Sequence, residues 1–242
     1  MLKSLSIPGL FITGTDTAVG KTFTAAAIAD WFVRRKFRVA VSKPAATGCV
    51  HRREGLVSED AEFLAQHADA KFPLHVICPQ RFAEPLAPAV AAEREGKTLD
   101  WKAIQNSLDE MSAQSDMMIV EGVGGIMTPM DRKFTVLDMA EWLGLPTIVV
   151  ARAGLGTISH TLLTLMALRS RKMAVAGVVI DRYPAETQNI AEETNPRAIE
   201  KWGKVSVLCM IPEFSGDAIP RLPKEVVAAV EPVDWGQLAG LS

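Results

Sequence analysis

Residues 14–22 of the chain, with the sequence GTDTAVGKT, have the composition of a phosphate-binding loop. An apolar run precedes them and a helical pattern begins at Lys21, which is the strand–loop–helix context of a P-loop. Backbone N–H groups and the helix dipole favour an anion there. Lys21 can reach the terminal phosphates, and the hydroxyl of Thr22 can ligate Mg²⁺. The loop is one residue longer than the common form, because five residues separate Gly14 from Gly20.

Lys43 follows the second apolar run and precedes Pro44, which keeps the lysine in an extended conformation. In a nucleotide cleft, this lysine would neutralise charge on a transferring phosphoryl group. Alternatively, it is a solvated lysine at a strand end. The spacing alone favours neither interpretation.

Glu121 and the glycine-rich residues 122–125 come at the end of a third apolar run. In a P-loop protein, an acid at this place is positioned to hold Mg²⁺, and the alternative is a solvated glutamate in a glycine-rich turn. Glu59 and Asp60 begin a helical stretch, where either residue alone is best explained as an acid that complements the helix dipole.

The P-loop and the charged residues must be positioned by strands and helices that alternate along the chain. Apolar runs predict strands at residues 9–13, 38–42, 117–121, 147–151, 176–180 and 205–211. Helical patterns cover residues 21–36, 59–67, 99–114, 136–143, 157–171 and 185–202. The alternation predicts a single α/β domain over residues 1–242, with a doubly wound, mainly parallel sheet and helices on both faces. Ligands bind beyond the carboxyl ends of such strands. The proline-rich residues 79–88 are predicted to form a long functional loop.

The composition excludes several classes of partner. A net charge of −2 gives no basic field for nucleic acid or an acidic membrane, and no apolar run is long enough for a membrane span. The three cysteines are far apart and predict neither a disulfide framework nor a zinc site. With no signal peptide, the sequence predicts a cytoplasmic protein.

Several motifs together resemble the dethiobiotin synthetases. The resemblance runs from about residue 9 to residue 214, in the family's order, and the long glycine spacing of the first motif is typical of the family. The matching motifs are GTDTxVGKT at residues 14–22, KPxxTG at 43–48, FxxPxxP at 82–88, EGxGG at 121–125, TP at 128–129, LGxIxH at 155–160 and IP at 211–212.

This resemblance implies an ATP-dependent carbon–nitrogen ligase of biotin biosynthesis that uses Mg²⁺. Its substrate, 7,8-diaminononanoate, takes up CO₂ at one amine to form a carbamate. ATP phosphorylates the carbamate to a mixed anhydride, and the second amine then closes the ring, giving dethiobiotin, ADP and phosphate. The resemblance also implies a homodimer whose substrate site lies at the subunit interface, with residues 154–160 supplied by the second subunit.

The resemblance assigns roles by position. Catalysis falls to Lys43 and Lys21, and the Mg²⁺ ligands are Thr22, Asp60 and Glu121. The implied nucleotide-binding residues are Thr17, Ala18, Val19, Gly20, Lys21, Thr22, Phe23, Asp60, Glu121, Gly122, Val123, Gly124, Asp181, Pro212, Glu213 and Phe214. The implied substrate-binding residues are Thr17, Lys43, Thr47, Thr128, Pro129, Gly156 and Thr157.

Asp181 departs from the family, which usually has an asparagine there that reads adenine. An ionised aspartate only accepts hydrogen bonds, so the departure puts the base preference in doubt. If Asp181 faces the base, it favours the adjacent donors of guanine. If it turns to solvent, backbone near residues 212–214 holds the base instead.

Two other classes share this kind of fold. Partner-regulated ATPase switches carry an extra lysine early in the P-loop, but residues 15–19 contain none. Cobyrinate-type amidotransferases would need a glutaminase domain, for which the chain has no room. Both features favour the synthetase.

Overall fold

A computed structural model describes residues 2–53, 55–68, 72–184, 186, 189–213 and 222–241. Its strands are β1 (Gly9–Gly14), β2 (Val39–Ser42), β3 (Ala45–Ala46), β4 (Val50–Arg52), β5 (Gly55–Val57), β6 (Gln80–Arg81), β7 (Met117–Gly125), β8 (Thr147–Arg152), β9 (Val175–Tyr183) and β10 (Val207–Pro212). Its helices are α1 (Lys21–Arg34), α2 (Glu59–His67), α3 (Leu74–Ile77), α4 (Pro88–Arg94), α5 (Trp101–Ser112), α6 (Val136–Leu143), α7 (Thr157–Ser170), α8 (Ile190–Gly203), α9 (Lys224–Val230) and α10 (Trp235–Ala239).

Six of the strands form one parallel sheet in the order β10-β9-β8-β1-β7-β2. The four inner strands are almost wholly buried along their apolar parts, as expected for strands covered on both faces. The order places β1, which carries the P-loop, in the middle of the sheet. The predicted doubly wound α/β fold is therefore confirmed, and all six predicted strands are present.

Local sequence signals set the ends of two predicted helices. Ser58 accepts a hydrogen bond from the N–H of Ala61 and so begins α2 at Glu59. Thr135 and Asp138 form a capping box at the start of α6, and Gly144 ends that helix in the left-handed conformation. Both helices have the predicted bounds.

Two regions differ from the prediction. Residues 79–88 are not a plain loop, since β6 pairs with β3 and Pro88 begins α4. The chain after residue 221 forms α9 and α10, which the sequence patterns did not predict. These helices pack against α1, with Trp235 fully buried and Glu231 bound to Arg34 and Arg35.

No helix among the described residues combines the length and the apolar character that a membrane span requires.

Candidate active site

A cleft of about 390 Å³ lies at the carboxyl edge of the sheet, over the start of α1. It brings together residues from the P-loop, from α2 and from the ends of β2, β7 and β9. Its lining comprises Thr17, Ala18, Gly20, Lys21, Thr22, Phe23, Lys43, Thr47, Asp60, Glu121, Val123, Gly124 and Arg182. The P-loop, Lys43 and Glu121 therefore face one cavity, at the edge where doubly wound sheets bind ligands.

The P-loop has a compact backbone conformation. Ala18 and Gly20 have φ angles of 56° and 94°, both in the left-handed region. Gly14 has no room for a side chain, because a Cβ there would lie 2.7 Å from Val19. The ammonium of Lys21 donates a hydrogen bond of 2.9 Å to the carbonyl of Asp16. The loop thus holds Lys21 over the concavity.

Lys43 lies at the centre of a charged cluster. Its Nζ atom is 2.5 Å from Oε1 of Glu121 and 2.7 Å from Oδ2 of Asp60. The side chain of Lys43 is 4% exposed and that of Glu121 is fully buried, whereas that of Asp60 is half exposed. Lys43 is therefore not a solvated lysine at a strand end, and Glu121 is not a solvated acid in a turn.

The two lysines are expected to titrate differently. Burial lowers the pKa of Lys43, but the charges of Glu121 and Asp60 outweigh burial and raise this pKa above its ordinary value. Burial, together with the nearby charge of Lys43, lowers the pKa of Lys21 to about 8. Lys43 is thus a permanent cation, and Lys21 is a cation near neutral pH.

The predicted metal ligands fit Mg²⁺. The hydroxyl of Thr22 donates to Oε1 of Glu121 at 2.9 Å. The second oxygen of Glu121 is buried and has no hydrogen-bond partner among the described residues. A hydroxyl and carboxylate oxygens in one cleft are the hard ligands that Mg²⁺ prefers, and the ion usually keeps several waters beside them.

The structure separates the two adjacent acids at the start of α2. Asp60 faces Lys43 and the cleft, at 2.7 Å. Glu59 points away, with its side chain 72% exposed and its carboxylate 3.9 Å from Arg52. Asp60, rather than Glu59, is the acid that belongs to the site.

Asp181 lies inside β9 and is only 2% exposed, so it does not turn to solvent. One carboxylate oxygen accepts a bond of 2.9 Å from the hydroxyl of Thr24, and the other accepts one of 2.6 Å from the backbone N–H of Arg182. A Cβ on Gly20 would lie 2.1 Å from the same carboxylate. Burial raises the pKa of Asp181 to about 6.

Several predicted residues lie outside the lining of this cleft. Val19 and Gly122 are buried, and the side chain of Thr128 lies close to Gly124. Pro129 pairs with Thr135. The remaining ones that do not line the cleft are Gly156, Thr157, Asp181, Pro212 and Glu213, and Phe214 lies outside the described residues.

Arg182 is a cleft residue that the sequence patterns did not predict. Its φ of 54° is left-handed, which is uncommon for an arginine. A charged residue directly after Asp181 was the one signal in the sequence, and that signal alone does not give the direction of the side chain.

Comparison with known proteins shows the family to which the chain belongs. A family model described as an AAA domain matches residues 8–216. A Thermodesulfovibrio yellowstonii protein named ATP-dependent dethiobiotin synthetase BioD is 36% identical, over 84% of this chain and 88% of its own length. Proteins of the same name from Anaeromyxobacter dehalogenans and Bacillus cereus are 43% and 38% identical, over 74% and 86% of this chain and 78% and 85% of their own lengths. The chain belongs to the dethiobiotin synthetase family.

Among solved structures, the septum site-determining protein MinD of Pyrococcus horikoshii, complexed with Mg-ADP, is similar in fold. Its TM-score is 0.52 at 16% identity, over 86% of this chain and 82% of that one. Identity this low shows the fold alone. Since the relatives of much higher identity are named synthetases, the alternative of a partner-regulated ATPase switch is not favoured.

Proposed function

We propose that this chain is a dethiobiotin synthetase that uses ATP, Mg²⁺ and CO₂ to close a cyclic urea on 7,8-diaminononanoate. The observation that carries the proposal is the cluster of Lys43, Glu121 and Asp60 in the same cleft as Lys21 and Thr47. This cluster supplies a fixed cation and acidic oxygens beside a phosphate-binding loop, as phosphoryl transfer to a carbamate requires.

The reaction requires little covalent chemistry from the protein's own side chains. A substrate amine adds to CO₂ and loses a proton, which gives a carbamate. A carbamate oxygen then attacks the γ-phosphorus and ADP leaves. The second amine attacks the carbamate carbon, loses its proton and expels phosphate. The protein must hold the reacting groups in line and offset the negative charge that develops on the phosphoryl oxygens.

The side chains of the cleft have distinct roles in this scheme. Lys43, whose pKa is raised, acts as a fixed cation at the transferring phosphoryl group rather than as a base. Lys21 holds the terminal phosphates. Thr17 and Thr47 line the cleft and would bind the diamine or its carbamate. Thr22, Asp60 and Glu121 would hold Mg²⁺, which when bound supplies further positive charge to the phosphates.

We further propose that the working unit is a homodimer in which the start of α7 completes the partner's substrate site. Gly156, which is exposed at the start of α7, does not line the cleft of its own chain, whereas Thr157 is buried. Leu155 is 89% exposed, and Leu163 and Met166 on α7 are also exposed. Apolar side chains at this surface favour a partner subunit. Sedimentation of the purified protein should therefore give a dimer, and a monomer at working concentration would contradict this part of the proposal.

ATP turnover tests the function directly. Phosphate release by the purified protein should need both 7,8-diaminononanoate and bicarbonate, and dethiobiotin should accumulate in equal amount, measured by mass spectrometry. Omitting either substrate is the control. ATP turnover that does not depend on the diamine and is instead stimulated by a protein partner would contradict the proposal and favour an ATPase switch.

A further inference from the structure

Arg182 is a cation in the cleft that differs from the two lysines in its bonding. Its side chain is exposed and lines the same cavity as Lys21 and Lys43. Lys43 binds two carboxylates, and Lys21 donates to a backbone carbonyl. Within the described part of the chain, the guanidinium of Arg182 makes no hydrogen bond or ion pair. It is thus available to an anionic ligand.

The backbone of Arg182 is fixed by its neighbour. Its N–H donates to Asp181 at 2.6 Å, and its φ is held at 54°. The other oxygen of Asp181 binds Thr24 on α1 and lies against Gly20. Both oxygens of Asp181 therefore accept bonds from groups other than the guanidinium. Holding a non-glycine residue in this left-handed region costs free energy, which is typical of positions that a site requires.

The sheet order gives the part of a nucleotide that Arg182 can meet. β9 lies on one side of β1, whereas β7, which contains Glu121, and β2, which is followed by Lys43, lie on the other. If the γ-phosphate lies beside Lys43, the phosphate chain crosses the start of α1 and its α-phosphate comes to the β9 side. There Asp181 packs against Gly20 and places Arg182 beside the helix start.

We propose that the guanidinium of Arg182 binds the α-phosphate of the nucleotide. This inference rests on the proposed use of ATP. A planar guanidinium suits phosphate oxygens, because it can donate two parallel hydrogen bonds as well as charge. The α-phosphate is present in every nucleotide, so this contact strengthens adenine and guanine nucleotides equally. Asp181 is then a positioning residue for Arg182.

Binding of ADP in the presence of Mg²⁺, measured by titration calorimetry, tests the inference without turnover. The variants are Arg182→Gln and Arg182→Lys. The matched control is Arg197→Gln, at an exposed arginine of α8 that does not line the cleft. A hydrogen-bonded charge contact at a partly exposed site is worth about tenfold in affinity. We expect Arg182→Gln to bind ADP about tenfold more weakly, Arg182→Lys to be weakened by an intermediate factor because it keeps the charge but loses the paired hydrogen bonds, and the control to match the wild type.

Two further ligands locate the contact. AMP carries only the α-phosphate and should lose affinity for Arg182→Gln by the same factor as ADP, as should GDP. Equal ADP affinity of Arg182→Gln and wild type would overturn the inference, and so would a loss confined to adenine nucleotides. If the wild type itself fails to bind ADP, the proposed function fails, which is a distinct result. Thermal melting of both variants checks that they are folded.

Discussion

The two ends of the cleft differ in how their charges are used. At the end formed by β2 and β7, Lys43 is bound to Glu121 and Asp60 within 2.7 Å, and the pair with Glu121 is buried. At the β9 end, Asp181 is buried and bonded to α1, and Arg182 is exposed to the cleft. The first end holds its charges in place before any ligand arrives, as stabilisation of a transition state requires. The second end leaves a cation for the ligand.

The strongest test of the comparison removes the cation of the first end. Lys43→Ala is expected to lower turnover by about 10²–10³-fold, the usual loss for one fixed group that stabilises transition-state charge. The measurement is phosphate release at saturating ATP, diamine and bicarbonate. Lys102→Ala, at an exposed lysine of α5, is the control. Activity of Lys43→Ala within a few-fold of the wild type would remove Lys43 from the mechanism.

The buried acid of the second end should make stability depend on pH. Burial raises the folded-state pKa of Asp181 from 3.8 to about 6, so the native state binds this proton more tightly than the unfolded state. The free energy of unfolding contributed by this group therefore falls as pH rises from about 4 to about 6. By linkage, the fall is about 2 kcal/mol.

The Asp181→Asn variant has no ionisable group at this position, so its free energy of unfolding should not show this fall with pH. Urea unfolding of both proteins at several pH values between 4 and 7.5 measures the difference in unfolding free energy between them. We expect the difference to shift by about 2 kcal/mol in favour of the variant as pH rises. A difference that does not change with pH would contradict the burial of an ionisable Asp181 at this end.

The adjacent acids of α2 give a smaller and well-matched test. Asp60→Asn should raise the Mg²⁺ concentration needed for half-maximal turnover by roughly tenfold, because one acidic oxygen leaves the proposed metal site. Glu59→Gln should leave it unchanged, since Glu59 points to Arg52. An equal rise in the Mg²⁺ concentration needed by both variants would contradict the assignment of Asp60, rather than Glu59, as a metal ligand.

The sequence predicted the parts of the fold that local patterns determine. The strands follow from apolar runs, and α2 and α6 follow from helical patterns, whose bounds agree with the structure because Ser58 and Thr135 cap the two helices. The pairing of β3 with β6 depends on tertiary contact between two-residue segments, which no local pattern shows. Pro88 at the first position of α4 is a known helix signal, but the prolines around it predicted a loop.

The residues of the site, like the elements of the fold, could be predicted only where a local motif identifies them. The P-loop identified Lys21 and Thr22, because that motif is local. The role of Lys43 stayed open in the sequence, since it depends on a buried carboxylate 78 residues further along. Asp60 and Glu59 were equivalent until α2 placed them on different sides. Arg182 was not predicted, because the direction of its side chain depends on a left-handed backbone conformation at the end of β9.

Steady-state kinetics with ATP as the varied substrate test the central claim most directly, because they separate the two ends of one cleft. Lys43→Ala and Arg182→Gln are compared with the wild type at saturating diamine and bicarbonate. The account predicts that Lys43→Ala acts mainly on kcat, whereas Arg182→Gln acts mainly on the KM for ATP, which should rise by about tenfold. The same pattern of change in both variants would contradict the division between a chemical end and a nucleotide-binding end.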